Sequence, residues 1–234
     1  MAAGRQSIPM VHRPILPEAM PANDWDALLG FGRLVTFAKG QTILDQGADD
    51  KRMYLIRHGR VEISVTSLDG HKRVLNYMGA GEILGEIALL DGGARSADAI
   101  AASRTVELTA IEQADVLRAL NCSPEVALAV IRELCRRVRN ATDMFEVKSE
   151  KSAKVRLART MLRLSAKWGQ AVETHPGARE LSGFSQGDLG DFAGLARENV
   201  NRQMKAWEDA GLIVRNETGI TLLDLDAIAD QAQL

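Results

Sequence analysis

From Leu34 to about Leu108 the apolar positions come in short runs rich in β-branched residues, such as Met53-Tyr54-Leu55-Ile56 and Val61-Glu62-Ile63-Ser64-Val65. Gly40, Gly47, Gly59, Gly70, Gly79, Gly81 and Gly85 interrupt them. Short strands between turn glycines predict an all-β barrel or sandwich. Val61, Ile63 and Val65 alternate with Glu62 and Ser64, which predicts one buried and one wet face. Asp69-Gly70, between Val65 and Val74, marks a hairpin turn, because glycine takes a positive φ without a Cβ clash.

From Pro124 onward the period lengthens. Ala127, Ile131, Leu134, Val138, Ala141 and Phe145 recur at alternating spacings of four and three, the seam of a coiled coil, while Arg132, Arg136, Arg139 and Asp143 fall off it. Such a helix can pack on its own barrel or pair with a second copy. The length of the seam and its flanking charges favour a parallel homodimer joined through Ile131, Leu134, Val138, Ala141 and Phe145. Lys148-Ser149-Glu150-Lys151-Ser152 reads as a polar hinge, or as a continuation of that helix. Beyond it Val155, Leu157, Ala158, Met161, Leu162 and Leu164 mark a second amphipathic helix reaching about Trp168, and His175-Pro176-Gly177 ends the run. The last third should hold two short helices, a strand pair and a tail helix. The expected domains are 22–122, 123–150 and 151–234.

The chain has 234 residues, 46% apolar and 26% charged, with 29 Lys+Arg against 31 Asp+Glu. A disordered polyelectrolyte is excluded, and two small domains with real cores fit the length. Cys122 and Cys135 are the only cysteines, so no disulfide framework, Fe–S cluster or structural zinc is expected, and a reducing cytoplasm fits. Met1 to Pro21 mixes Arg5, His12, Arg13 and Glu18 with four prolines and assembles no signal-peptide core. No run reaches the roughly 18 apolar residues of a membrane span. Near-neutral total charge leaves nucleic-acid binding open, since that needs only a local positive face. Four histidines and no G-x-S-x-G or H-E-x-x-H motif give no support to an enzyme.

Two constellations carry candidate chemistry. In the first, Gly85 lets backbone approach a ligand, and Glu86-Ile87-Ala88-Leu89-Leu90 can form one helical turn whose free N–H groups face an anion. Arg95 adds a permanently charged planar fork, with Ser96 beside it, and Glu86 can accept from sugar hydroxyls. The bland alternative is a Glu86–Arg95 salt bridge under a plain loop. In the second, Phe184 to Met204 carries a helix-turn-helix pattern. Ser185 caps, Leu189 and Phe192 face inward, Gly194 turns, and Val200 and Met204 anchor the second helix. Its outer face shows Arg197, Glu198, Asn201 and Arg202; Arg matches guanine O6/N7 and Glu accepts from cytosine N4. An ordinary solvated charge row is the competing reading. After Gly211, Leu212-Ile213-Val214-Arg215 and Ile220-Thr221-Leu222-Leu223 flank Asn216-Glu217-Thr218-Gly219, a compact hairpin wing.

Gly85-Glu86-Ile87-Ala88-Leu89-Leu90 followed by Arg95-Ser96-Ala97 resembles the phosphate-binding cassette of cyclic-nucleotide-binding domains. Arg197-Glu198-x-Val200-x-Arg202 with its wing resembles the recognition helix of the cyclic-AMP receptor / fumarate-nitrate regulator family. The resemblance runs from about Trp25 to Leu223. It implies an α+β chain: an N-terminal double-stranded β-helix (a β-roll or jelly roll) that binds cyclic nucleotide, a long dimerisation helix, and a C-terminal winged helix-turn-helix. It implies an effector, cyclic AMP (cAMP) or cyclic GMP (cGMP), held by Gly85, Glu86, Ile87, Ala88, Arg95 and Ser96. Thr142 would lie near the purine, or else be an exposed helix position, and Arg137 would form an interdomain or intersubunit ion pair with Glu86. Double-stranded DNA with a palindromic TGTGA-like site is the implied target, read by Arg197, Glu198, Asn201 and Arg202 with Ser185 and Gln186 on the backbone. A homodimer, contact with RNA polymerase, no metal and no membrane complete the expectation. A nucleotide-binding module that regulates a protein partner, or a member of the family that senses another effector, is the rival reading.

Overall fold

The computed structural model describes residues 30, 32–67, 69–70, 72–216 and 219–233. Met1 to Pro21, the start of the first expected domain and the wing-turn residues Glu217 and Thr218 lie outside the described residues. The chain divides into two compact units between Val138 and Arg139.

The first unit holds β1 (Arg33–Ala38), β2 (Thr42–Leu44), β3 (Met53–His58), β4 (Val61–Thr66), β5 (Lys72–Met78), β6 (Ile83–Leu84), α1 (Glu86–Asp91), β7 (Asp98–Ala101), β8 (Thr105–Ile111), α2 (Gln113–Cys122) and the first half of α3 (Pro124–Ser149). Its strands form two antiparallel sheets, ordered β1-β8-β3-β6 and β2-β7-β4-β5. Tyr54, Ile56, Val61, Met78, Leu84 and Leu108 share the core cluster that draws on both sheets. Met53, Leu55, Ile83 and Ile111 instead join Leu89, Val116, Val126, Ala129 and Val130 of the helices. The unbroken run Met53 to Ile56 is thus a strand buried on both faces, alternate side chains serving different cores.

The expected turn at Asp69-Gly70 is present: β4 and β5 pair antiparallel with Thr66 opposite Lys72, and Gly70 has φ 80°. The expected alternation along β4 fails after Ile63. A register shift between Ile63 and Ser64 turns Ser64 inward to complete burial, while Val65 is only half-buried. An irregular residue in a ladder reverses which face the following side chains occupy.

The α3 seam is also displaced from its expected line. Leu134 is half-buried against the barrel's helical cluster, as Val126, Ala129 and Val130 are buried in it. The apolar row left in solvent runs through Leu128, Ile131, Val138 and Phe145, at 46%, 54%, 67% and 76% exposure, with Cys135 and Ala141 also exposed. One helix face is held by its own barrel, and the neighbouring face remains open.

The second unit contains the rest of α3, α4 (Ala153–Trp168), β9 (Gln170–Ala171), β10 (Arg179–Ser182), α5 (Gln186–Ala193), α6 (Arg197–Asp209), β11 (Ile213–Arg215), β12 (Gly219–Leu222) and α7 (Leu225–Gln231). Residues Glu150 to Ser152 separate α3 from α4, and the Ser152 hydroxyl caps α4 by accepting from the Val155 N–H. Val155, Leu157, Ala158, Met161, Leu162 and Leu164 are all buried, as their period predicts. The expected strand pair is half of a four-stranded sheet, β11-β12-β10-β9. Its other two strands, four and two residues long, were not expected.

Candidate functional site

Gly85 ends β6 and opens α1 with φ 84°. A Cβ there would lie 2.5 Å from Arg95 Nη1 and 2.6 Å from the Arg52 carbonyl, so both the backbone conformation and the space require glycine. Arg95 is 3% exposed. Its Nη1 donates to the Gly85 carbonyl at 2.6 Å, and its Nη2 to the Arg52 carbonyl at 2.6 Å, with Asp50 Oδ2 at 3.1 Å. Arg95 Nε is buried and has no partner. The expected open fork is therefore largely engaged by protein acceptors, leaving Nε as an unspent buried donor.

Burial works to raise the Asp50 carboxyl pKa, but hydrogen bonds from Arg52 and then Arg95 outweigh it and bring it from 3.8 to about 2. Lys51 Nζ donates to the carbonyls of Gly92 (2.9 Å) and Gly93, which ties down the loop leading to Arg95.

Glu86, 2% exposed, pairs with Arg137 Nη1 at 2.5 Å and not with Arg95. The expected pairing of Arg137 with Glu86 is present within one chain, between α1 and α3 and inside one compact unit. Arg137 also donates from Nη2 to the Ile83 carbonyl and from Nε to Glu133 Oε1 at 3.1 Å. Glu133, fully buried, accepts from Arg136 Nε at 2.8 Å, and Arg136 Nη2 reaches Glu82 Oε1 at 3.1 Å. Glu82 Oε2 accepts from the Gly79 N–H at 2.8 Å. Burial pushes the Glu133 pKa up, but the two guanidiniums push harder, so it is held below the usual carboxylate value. A continuous ion chain thus links the cassette to α3.

Gly85, Glu86, Ile87, Ala88, Arg95, Ser96 and Arg137 all line one cavity that opens to solvent. Leu44, Ile63, Met78 and Asp98 also line it and were not anticipated. Thr142 is exposed on α3 and belongs to the second unit. The spacing of Glu133 to Arg136 and Arg137, three and four residues along a helix, was the available signal for the ion chain. Asp50 and Arg52 carried none, since only the fold brings them to Arg95. Among the described residues no group of side chains could hold a metal ion, and no helix is long and apolar enough to cross a membrane.

In the second unit the Ser185 hydroxyl accepts from the Asp188 N–H at 3.1 Å, and the Asp188 carboxylate accepts from the Ser185 N–H at 2.7 Å, a reciprocal cap on α5. Gly194 turns the chain at φ 64°. Gly190 permits the close approach of α5 to the turn: a Cβ there would sit 2.7 Å from the Leu195 carbonyl. Val200, Met204 and Trp207 bury the inner face of α6. Arg197, Glu198, Asn201 and Arg202 stand exposed on it, and Arg202 Nη2 donates to Asn199 Oδ1 at 2.7 Å. Ser185 is exposed and Gln186 half-buried. Lys205, unanticipated, extends the exposed row of Arg197 and Asn201 at helical spacing.

Residues 34–122 match the cyclic nucleotide-binding domain, and residues 155–230 match the Crp-like helix-turn-helix domain. The chain is 32% identical over 188 residues to the cyclic AMP receptor protein of Thermus thermophilus, covering 80% of this chain and 82% of the relative. It is 28% identical over 193 residues to the cAMP-activated global transcriptional regulator of Haemophilus influenzae, covering 82% and 84%. In fold it is similar to FixK2 of Bradyrhizobium japonicum, with a TM-score of 0.74 at 19% identity over 86% of this chain and 96% of that one. The c-di-GMP-responsive regulator CLP of Xanthomonas campestris gives a TM-score of 0.74 at 23% identity, over 87% and 100%. With a nucleotide-type cassette in one unit and a winged helix-turn-helix in the other, the chain belongs to the cyclic-AMP receptor / fumarate-nitrate regulator family of transcription regulators.

Proposed function

We propose that the chain is a homodimeric regulator whose DNA affinity is set by a cyclic nucleotide, cAMP first and cGMP second. The observation that carries the effector assignment is Arg95: a buried guanidinium with an unspent Nε donor, lining a cavity beside a buried carboxylate. A buried donor left without an acceptor is costly in such a place unless a ligand completes it. Arg95 and Ser96 would hold the cyclic phosphate, the amides of Ile87 and Ala88 would face it across Gly85, and Glu86 would accept from the ribose 2′-hydroxyl. Glu86 is already bound to Arg137, so a ribose at Glu86 competes with, or joins, the ion chain that ends on α3. Thr142 is the candidate purine contact, and Ser96 the group that would let a syn guanine bind. The expected domains, 22–122, 123–150 and 151–234, then divide the labour into sensing, pairing and reading.

The exposed apolar row on α3, with Ile131, Val138, Ala141 and Phe145 and the flanking Leu134, would pair with a second copy, since a patch of this length is seldom left in water. Two α6 helices would then enter successive major grooves about 34–36 Å apart on a palindromic TGTGA-like site. Arg197, Glu198, Asn201 and Arg202 would read bases, while Ser185 and Gln186 would touch the backbone. Effector and DNA must strengthen each other's binding equally. The setting is the cytoplasm, and RNA polymerase is the further partner such a regulator would engage.

Calorimetric titration with cAMP and with cGMP tests the effector. Saturable binding of at least one nucleotide, lost in Arg95→Ala and weakened in Glu86→Gln, is expected. Absence of heat with both would overturn the assignment.

A further inference from the structure

Arg156, Arg159 and Arg163 stand three and four residues apart on α4, so they share one face of that helix. Each of them reaches the end of α3. Arg156 Nη1 donates to the Glu150 carbonyl at 3.1 Å, Arg159 Nη1 lies 3.6 Å from Glu146 Oε1, and Arg163 Nη1 lies 3.9 Å from Asp143 Oδ2. Glu150, Glu146 and Asp143 step back towards α3 by four and three residues as the arginines step forward along α4. The contacts thus form an antiparallel row in one register, and all six residues lie in the second unit. The side chains of Arg159 and Arg163 are 15% and 11% exposed, so their stems are packed while their charged ends meet carboxylates at the surface.

Two of the arginines have a second anchor. Arg159 Nε donates to the carbonyl of Ala232, just past α7, at 3.0 Å, which holds one edge of that guanidinium. Arg156 Nη2 donates at 3.4 Å to the carbonyl of Gly194, in the turn that leads into α6. The row therefore joins the end of α3 to the tail helix and to the start of the exposed helix that carries Arg197 to Arg202.

Single exposed ion pairs add little stability, but a row of them can fix an angle. Only Glu150 to Ser152 separate α3 from α4, and each residue there has two soft backbone dihedrals. Without links between the helices, a displacement of α3 would be taken up at that joint. α3 carries the chain out of the first unit, where Arg137 ties it to Glu86 of the cavity, and into the second. Coupling between distant sites is carried by elements linked in this way.

We propose that Arg156, Arg159 and Arg163 are positioning residues that hold the DNA-reading unit to the end of α3, so that a nucleotide-driven movement of α3 reaches α6 instead of being lost at residues 150–152. The inference rests on the reading of the chain as a nucleotide-gated DNA binder. It supplies the part that carries the signal past the joint, from side chains that need touch neither nucleotide nor DNA.

The test is the affinity of the full chain for a palindromic TGTGA-N-TCACA duplex with and without cAMP, and with and without cGMP, the ratio being the coupling. Asp143→Asn combined with Glu146→Gln removes two carboxylates and leaves the arginines in place. The ratio is expected to fall by about fivefold or more, while nucleotide affinity without DNA and the melting temperature stay near those of wild type. Arg156→Ala should also lower the ratio, and Arg156→Lys, which cannot reach both carbonyls, should resemble it. Asp143→Arg and Arg163→Asp should each lower the ratio, and the two together should restore it, because the pair re-forms with its charges exchanged. A purely structural role would lower the melting temperature and leave the ratio alone. Folded variants with the wild-type ratio, or an exchanged pair that restores nothing, would overturn the proposal alone. A wild-type ratio of one with both nucleotides would overturn the gated reading beneath it.

Discussion

Around the cavity Glu82, Glu86, Glu133, Arg95 and Arg136 are each no more than 4% exposed, whereas on α6 Arg197, Glu198, Asn201 and Arg202 are open to solvent. Both regions are built from the same charged residue types. Charges removed from water must be matched at once, and the cavity region does so with a chain running Glu86–Arg137–Glu133–Arg136–Glu82. Charges left in water need no internal partner and stay available to an external one. The first arrangement holds a shape that a ligand can perturb; the second offers a surface that a partner can read.

The largest effect that would break this contrast is expected at Glu133. Glu133→Ala leaves Arg136 buried without its Nε acceptor, and should cost about 3–5 kcal/mol in urea unfolding. A cost below ~1 kcal/mol would show that the cavity charges are as dispensable as surface ones. Gly85→Ala should follow, at about 2 kcal/mol or more, because alanine at φ 84° is strained and its Cβ would displace Arg95. Nucleotide affinity should fall with it; native stability and affinity in the variant would show that position 85 does not require glycine.

On the exposed side, Arg202→Ala should leave the melting temperature unchanged and cost about 1–3 kcal/mol of specific DNA binding, with relaxed choice at one guanine. Loss of nonspecific affinity alone would make Arg202 a backbone contact. The smallest effect belongs to Asp50. Its folded pKa of about 2 lies below its ordinary 3.8, so the stability it contributes is complete above about pH 4 and is lost as pH falls towards 2. Half-exposure and solvent screening limit this to ~1 kcal/mol. Asp50→Asn should abolish that part of the acid profile, and an identical profile in the variant would contradict its pairing with Arg52 and Arg95.

What could be read in advance divides along the same line. The cassette, the turn at Gly70, the cap at Ser185 and the face of Arg197 to Arg202 follow from local spacing, and local spacing is what a sequence displays. Asp50 and Arg52 meet Arg95 only after the barrel closes. The inward turn of Ser64 depends on a register shift decided by its partner strand. The α3 seam has the expected period, yet Leu134 is drawn to the barrel and Leu128 and Cys135 join the open row, because two surfaces compete for one helix. Arg215 reaches Asn201 across a wing whose pairing no spacing rule gives.

The central claim, that cavity occupancy sets DNA binding by α6, is tested most directly by a mobility shift with a palindromic TGTGA-N-TCACA probe, with and without cAMP and cGMP. Nucleotide should strengthen retardation of the wild-type chain and have no effect on Arg95→Ala. Failure to retard the probe with any nucleotide, or equal retardation with and without both, would contradict it.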